Sequence, residues 1–287
     1  MLDKSESKLD NKMAKKSNIQ RKVFTLKNRE YITPHFIRLT LGGNDVSDYK
    51  YTTVGVNNKI FIAPEGCDHV YLPEFDMEKM AWTPMDESIK PYIRTYTHRG
   101  LDLEKNELYI DFVAHGDEGP ASNFAINAKI GDELGVAMGC DPSELFPEVE
   151  WYYLIGDATA IPVLSSILEN IPSTSKAKVI IEVETVEDVQ NLKSAGSFDI
   201  EWVINPTPGN NSEVAGKVID FVENNVIPDT KFVYLAAEFS TVKELRNYFR
   251  KEKQWTKDEV YAYSYWKFGK AESASEADRR AEKASIE

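Results

Sequence analysis

Cysteine is nearly absent: the 287 residues include only Cys67 and Cys140. Neither sits in a CxxC pair, which excludes a zinc ribbon or an iron–sulfur cluster built on thiolates. Nothing here needs a disulfide framework, so a reducing compartment is expected. Positive charge is scarce as well. Lys and Arg number 34 against 47 Asp and Glu, giving a formal net charge of -13. With no Lys/Arg run long enough to form a basic patch, such a surface repels nucleic acid and anionic lipid, and neither is expected as a partner. No apolar run approaches a membrane span. The segment Met1–Ser17 is polar, lacks the apolar stretch of a signal peptide and reads as a disordered leader. The expected location is the cytoplasm. There is no GxGxxG dinucleotide fingerprint, and no metal site is expected.

What is present divides into two rhythms. From about Ile19 to Met138, short alternating segments are separated by turn signals: Arg21 to Leu41, Asn57 to Ala63, Arg94 to His98, Leu108 to Val113 and Gly131 to Met138. This pattern predicts an antiparallel barrel or sandwich. Gly66 to Ser88, with Pro73 and Pro84, reads as a long loop, and Gly119 to Ala128 as a loop feeding a short helix. After the polar connection Asp141 to Glu150, strands alternate with helices. Strands are expected at Trp151 to Ile155, Lys178 to Val183, Trp202 to Ile204, Phe232 to Ala236 and Val260 to Tyr265. Helices are expected at Ile161 to Asn170, Val186 to Lys193, Val214 to Asn224 and Thr241 to Lys253. That alternation argues for a parallel α/β sheet. A terminal helix is expected over Ala271 to Ser285. The predicted architecture is a β-barrel plus an α/β unit, divided as leader 1–17, barrel 18–149 and α/β region 150–287.

Four segments carry residues suited to chemistry. Arg94-Thr95-Tyr96-Thr97 lies on a strand, where Arg94 and Tyr96 face one side and the threonines the other. Such a strand offers a cation, a flat aromatic and small donors, the groups a flavin needs. Taken alone it reads rather as an ordinary strand with an exposed Arg and a core Tyr. Asp111 to Gly116, followed by Gly119-Pro120-Ala121-Ser122, places small residues before a helix, where backbone N–H groups can approach a phosphate. Gly156 to Pro162 forms a strand-to-helix junction, the place where open α/β sheets bind ligands. Tyr261 to Lys270 contains five Tyr and Trp/Phe rings within ten residues; some must be core, and the rest could cover a ring system.

Taken together and in this order, these segments resemble the siderophore-interacting protein family of ferric-siderophore reductases. Its R-x-Y-[ST], D-F-V-x-H-G-x-x-G-P-A-S, G-D-x-T-A-x-P and Y-W-[KR]-x-G motifs match Arg94–Thr97, Asp111–Ser122, Gly156–Pro162 and Tyr265–Gly269. The resemblance implies bound FAD, a ferredoxin-reductase-like fold and reduction of a catechol- or hydroxamate-type ferric siderophore in the cytoplasm, by a protein expected to be a monomer. It implies that Arg94 neutralises the FAD phosphates, Tyr96 stacks on the isoalloxazine, and Thr95 and Thr97 sit near it. Asp111, Val113, His115, Gly119, Pro120, Ala121 and Ser122 would hold the ribityl–pyrophosphate portion. Asp157, Thr159 and Ala160 would line the flavin edge, with Trp266 nearby. Lys59, Lys267, Lys270 and Arg279 would form a basic pocket for the anionic chelate. No catalytic acid or base is implied. Two departures matter. Gly139-Cys140-Asp141-Pro142-Ser143 replaces the usual Gly-rich stretch, and the C-terminal helix can crowd a nicotinamide, so the donor is left as NADH, NADPH or ferredoxin. The rival readings are a flavin-free siderophore-binding protein and a flavin reductase of the same fold acting on quinone or free flavin.

Overall fold

The computed structural model describes residues 18–76, 78–117, 119–271, 274–275, 277–278 and 281. Its first half is an antiparallel sheet. The strands in chain order are β1 (Ile19–Thr33), β2 (Phe36–Gly42), β3 (Asn57–Ile62), the short pair β4 (Phe75–Asp76) and β5 (Ala81–Trp82), then β6 (Tyr92–Thr97), β7 (Gly100–Asp102), β8 (Glu107–Val113) and β9 (Glu133–Gly139). Seven of them form one sheet in the order β6-β3-β9-β1-β2-β8-β7. The edge strands β6 and β7 are separated in sequence only by His98 and Arg99. Two residues cannot cross a flat seven-stranded sheet, so it must curl until its edges meet, as a barrel does. Register shifts after Leu26 and Tyr31 bend the long strand β1, which pairs first with β9 and then with β2. Inward residues Phe24, Leu26, Leu39, Leu41, Ile60, Ile110 and Phe112 fill the interior. Helix α1 (Pro120–Asn127) adds Ala121 and Ala125 to that same core.

The second half is a five-stranded sheet of β10 (Trp151–Asp157), β11 (Lys176–Val183), β12 (Ser197–Ile204), β13 (Lys231–Glu238) and β14 (Val260–Trp266). All its pairs are parallel, in the order β12-β11-β10-β13-β14. The order reverses between β10 and β13, which makes their carboxyl ends the topological switch point. Alternate residues of β10 face opposite sides. Tyr152 and Leu154 pack with α2 (Ile161–Asn170), while Tyr153 and Ile155 pack with α3 (Val214–Asn224) and α4 (Phe239–Asn247). Helix α2 is buried along most of its length because Phe36, Ile32 and Val113 of the barrel pack into the same cluster. The two sheets are thus joined through one apolar core.

The expected β-barrel plus α/β architecture, ferredoxin-reductase-like in its order of parts, is what the chain adopts. Three local expectations differ. The helix expected over Val186 to Lys193 is only a 3-10 turn, Val186–Asp188. Asp188 closes a capping box with Thr185 and turns its carboxylate to the barrel, which ends the turn there. The long loop contains the β4–β5 hairpin, pinned by an edge-to-face contact of Phe75 and Trp82. The helix expected from Thr241 to Lys253 begins at Phe239 and widens into a π-turn over Tyr248–Glu252, where Phe249 stacks on Trp255. The described residues between 274 and 281 are helical; the remainder of the expected terminal helix and the leader lie outside the described residues. No described helix is long and apolar enough to cross a membrane.

Candidate functional site

Strand β6 is a sheet edge and pairs only with β3, which places Ile60 opposite Arg94, Lys59 opposite Thr95, Asn58 opposite Tyr96 and Asn57 opposite Thr97. Ile60 belongs to the barrel core, so Arg94 and Tyr96 share the inward-leaning face. The Tyr96 ring packs at 4.4 Å on Phe112 of β8. Arg94 is half-buried and Nη1 donates to the Ile93 carbonyl at 2.8 Å. Thr95 is exposed and receives the Lys59 ammonium; Thr97 is buried. Two further polar residues stand on the same face. Asn58 is buried with neither amide atom hydrogen-bonded, and His98 is buried with both ring nitrogens unpartnered. Burial holds the His98 imidazole neutral, with its pKa pushed down to about 4.

The second segment continues from β8. Val113 packs into the core shared by the two sheets. Gly119 caps α1, Pro120 opens it, and Ala121 and Ser122 are buried in its first turn. The Ser122 hydroxyl accepts from the His115 backbone N–H at 3.1 Å and donates to the Gly116 carbonyl, so it shapes the loop. His115 itself is exposed. Asp111 points elsewhere. Its carboxylate is gripped by Arg38 at 2.7 and 2.8 Å, with Arg99 Nε at 3.7 Å. Arg99 then reaches Glu169 of α2 at 2.7 Å. Asp111 is therefore the hub of an ion network crossing between the sheets.

At the third segment, Asp157 ends β10. Oδ1 accepts from the Thr159 N–H at 2.9 Å and from its hydroxyl. Oδ2 accepts from the Glu238 N–H and from Trp266 Nε1, both at 2.8 Å. Burial pushes this carboxyl upward and the four donors oppose that shift. Ala160 is fully buried against α2. A Cβ on Gly156 would stand 2.6 Å from that of Ala160 and 2.8 Å from the Ala236 carbonyl, so only glycine permits this close turn. In the fourth segment, Tyr261 stacks on Tyr234 at 4.5 Å and Tyr265 reaches the same tyrosine, both serving the core. Trp266 is half-buried on the rim.

The four segments meet. Tyr96 touches Phe112, β8 touches the Ala158–Ala160 turn, and Trp266 bonds Asp157. Lys267 and Lys270 are brought together on one carboxylate, Asp278, at 2.7 and 2.8 Å. Lys59 belongs to the barrel and bonds Thr95. Arg279 lies outside the described residues. Sequence reading missed Asn58 and His98, and also two buried acids, Glu182 and Glu238, which end β11 and β13 on either side of Asp157. A glutamate closing each apolar strand run (Ile-Ile-Glu and Ala-Ala-Glu) was the available signal. Among the described residues, no group of acidic, His and Cys side chains could hold a metal ion.

Residues 25–142 match the siderophore-interacting FAD-binding domain and residues 149–269 the siderophore-interacting protein domain. The ferric vibriobactin reductase ViuB of Vibrio cholerae is 30% identical over 251 residues, 88% of this chain and 91% of that protein. The chain belongs to the siderophore-interacting protein family. Another relative, the NADPH-dependent ferric-chelate reductase of Escherichia coli, is 28% identical over 88% of this chain and 94% of that protein. Among solved structures, the siderophore-interacting protein SipS of Aeromonas hydrophila superimposes with a TM-score of 0.76 at 28% identity, covering 91% of this chain and 97% of that one. The ferredoxin-NADP+ reductase of Plasmodium falciparum shares the fold at a TM-score of 0.56 and 14% identity, over 86% of this chain and 97% of that one.

As a siderophore-interacting protein with the family's FAD-binding domain, the chain is a flavoprotein. The residues present fit that group. An edge strand carries a cation and two hydroxyls, orphaned amide and imidazole groups lie behind it, and a helix begins on small residues nearby.

Proposed function

We propose that this chain is a cytoplasmic FAD-dependent reductase of ferric siderophores. The observation that carries the reading is that β8 joins the segments: Tyr96 packs on its Phe112, and it contacts both α1 and the turn after Asp157, which holds Trp266. The unit 18–149 serves as the flavin barrel and 150–287 as the reductase unit. Arg94 would hold the FAD pyrophosphate, assisted by the N-terminus of α1 and by His115. Tyr96 provides an aromatic face, with Thr95 and Thr97 as small donors beside it. Val113, Gly119, Pro120, Ala121 and Ser122 would hold the ribityl chain, Thr159 would line the flavin edge, and Trp266 would limit water there. Asp157 and Ala160 act from behind by holding Trp266 and the turn in place. Asp111 acts further back still, by fixing Arg38 and Arg99 between the sheets.

FAD, when bound, would supply the redox chemistry by which electrons from NAD(P)H or ferredoxin reach Fe(III) one at a time. Hard oxygen donors hold Fe(II) far less tightly, so iron leaves the chelate after reduction. Lys267 and Lys270, with Lys59 and Arg279, attract the anionic chelate and need no acid–base role. Anaerobic stopped-flow tests this: reduce the yellow protein with dithionite, then mix it with ferric catecholate and hydroxamate siderophores, ferric acinetobactin among them. Flavin reoxidation with Fe(II) appearing in step is expected. Reoxidation only by quinone or free flavin would overturn the reading.

A further inference from the structure

The strand order β12-β11-β10-β13-β14 is that of a dinucleotide-binding sheet, in which β11 takes the place of the second strand. In such sheets the carboxyl end of the second strand reads the adenosine ribose. An acid there accepts from the 2′-hydroxyl, whereas a nearby arginine is needed to receive a 2′-phosphate. Here that end carries Glu182, paired in register with Asp157. Glu182 is 4% exposed and its Oε2 has no hydrogen-bond partner. Burial, with Asp157 and Glu238 nearby, pushes its carboxyl upward; Ser212 and Asn205 stand close enough to oppose that shift, yet neither bonds that oxygen.

Charge around the position points the same way. Between 182 and 213 the chain has one lysine, Lys193, and no arginine, while Glu184, Glu187 and Glu213 add further acids. His35 is committed to Asp188 at 2.8 Å. Lys217, at the start of α3, is tied to Glu201 at 2.7 Å. A 2′-phosphate would bring roughly two more negative charges to an edge rich in acids, where Lys193 of the β11–β12 connection is the single lysine or arginine between 182 and 213. A 2′-hydroxyl would supply the donor that Glu182 lacks.

We propose that the carboxyl edge of β11 and β12 selects a dinucleotide without a 2′-phosphate, so that NADH and not NADPH is the donor. The proposal rests on the reductase reading and names the donor of that same site. It sets this chain apart from the relative named as NADPH-dependent. Glu182 is the reading residue, and the loop after β12 is where a cation for a phosphate is missing.

Calorimetry on the FAD-loaded protein with ADP-ribose and 2′-phospho-ADP-ribose tests the selection without turnover. ADP-ribose is expected to bind at least about tenfold more tightly, a difference of about 1.4 kcal/mol. Thr207→Arg, on the exposed loop after β12, should raise affinity for the 2′-phosphorylated probe about tenfold and leave ADP-ribose nearly unchanged. Glu182→Gln should weaken ADP-ribose alone. Equal or tighter binding of the phosphorylated probe by the unaltered protein, or binding of neither, overturns the proposal. Dithionite-reduced protein needs no dinucleotide, so its reoxidation by ferric siderophore tests the reductase reading separately.

Discussion

Trp266 Nε1 donates to Asp157 Oδ2 at 2.8 Å, joining the end of β14 to the end of β10 across 109 residues of sequence. The same oxygen accepts from the Glu238 N–H, so one carboxylate ties three parallel strands at the switch point. Trp266→Phe removes one of four donors and should cost about 1 kcal/mol in urea unfolding. Asp157→Asn is worse, because an amide presents N–H groups toward N–H and O–H donors. We expect a loss of about 2–3 kcal/mol, measured the same way.

Asp111 separates a scaffold role from ligand contact. It is buried and held by Arg38 at 2.7 and 2.8 Å, so Asp111→Ala leaves the Arg38 guanidinium without this partner between the sheets, while Arg99 keeps Glu169. A loss of about 3 kcal/mol in denaturant unfolding is expected. FAD content should return to that of the unaltered protein once excess FAD is supplied to the folded variant, as read by flavin absorbance.

His35 and Asp188 form a latch between the β1–β2 turn and the connection after β11. Asp188 also accepts from Thr33 and Thr185, and His35 with these donors holds its carboxyl down at about 2. A lowered acid stabilises the fold above its ordinary pKa of 3.8, and the contribution fades as pH falls toward 2. It amounts to about 2 kcal/mol. The His35 pKa is raised, chiefly by its hydrogen bond to Asp188. Its share is full below 6.5 and is lost as pH rises through the elevated value. Solvent screening at a side chain 35% exposed keeps that share within about 1 kcal/mol. Thermal melts across pH should therefore show a plateau between about pH 4 and 6.5 that His35→Gln flattens on its alkaline side.

Asp278 neutralises part of the Lys267–Lys270 pair, and the two lysines hold its carboxyl at about 2. Asp278→Asn should tighten binding of an anionic ferric siderophore severalfold at low salt, with the gain lost at high salt. Lys59→Glu combined with Lys267→Glu should weaken binding and leave flavin content intact. Quenching of flavin fluorescence by the chelate reads both effects. No change in either variant would remove these lysines from the substrate site.

The element order was legible because periodicity is a local property. Alternation marked β2, β8 and β9, and apolar strands followed by amphipathic helices marked the parallel half. The helix over 214–224 and the one over 161–170 lie where the pattern places them. The 186–193 segment misled because its apolar spacing is helical, while the Asp188 carboxylate finds its partners in the barrel, more than 150 residues away in sequence. Asn58 and His98 gave no local sign, since an unpartnered buried polar group is defined only by what surrounds it.

From its sequence alone, this protein's class was determined: one barrel, one parallel sheet and four motif segments whose order marks the family. Chain-local chemistry suffices for that, because side-chain periodicity and turn residues act over a few positions. The tertiary structure decided which motif residues are committed to the scaffold. Tyr96 leans on Phe112, Asp111 is spent on Arg38, and Asp157 is spent on Trp266. It also set Glu182 beside Asp157 at the sheet edge. Those assignments depend on partners brought together from distant parts of the chain, and burial fixes their charge and hydrogen bonding only after folding.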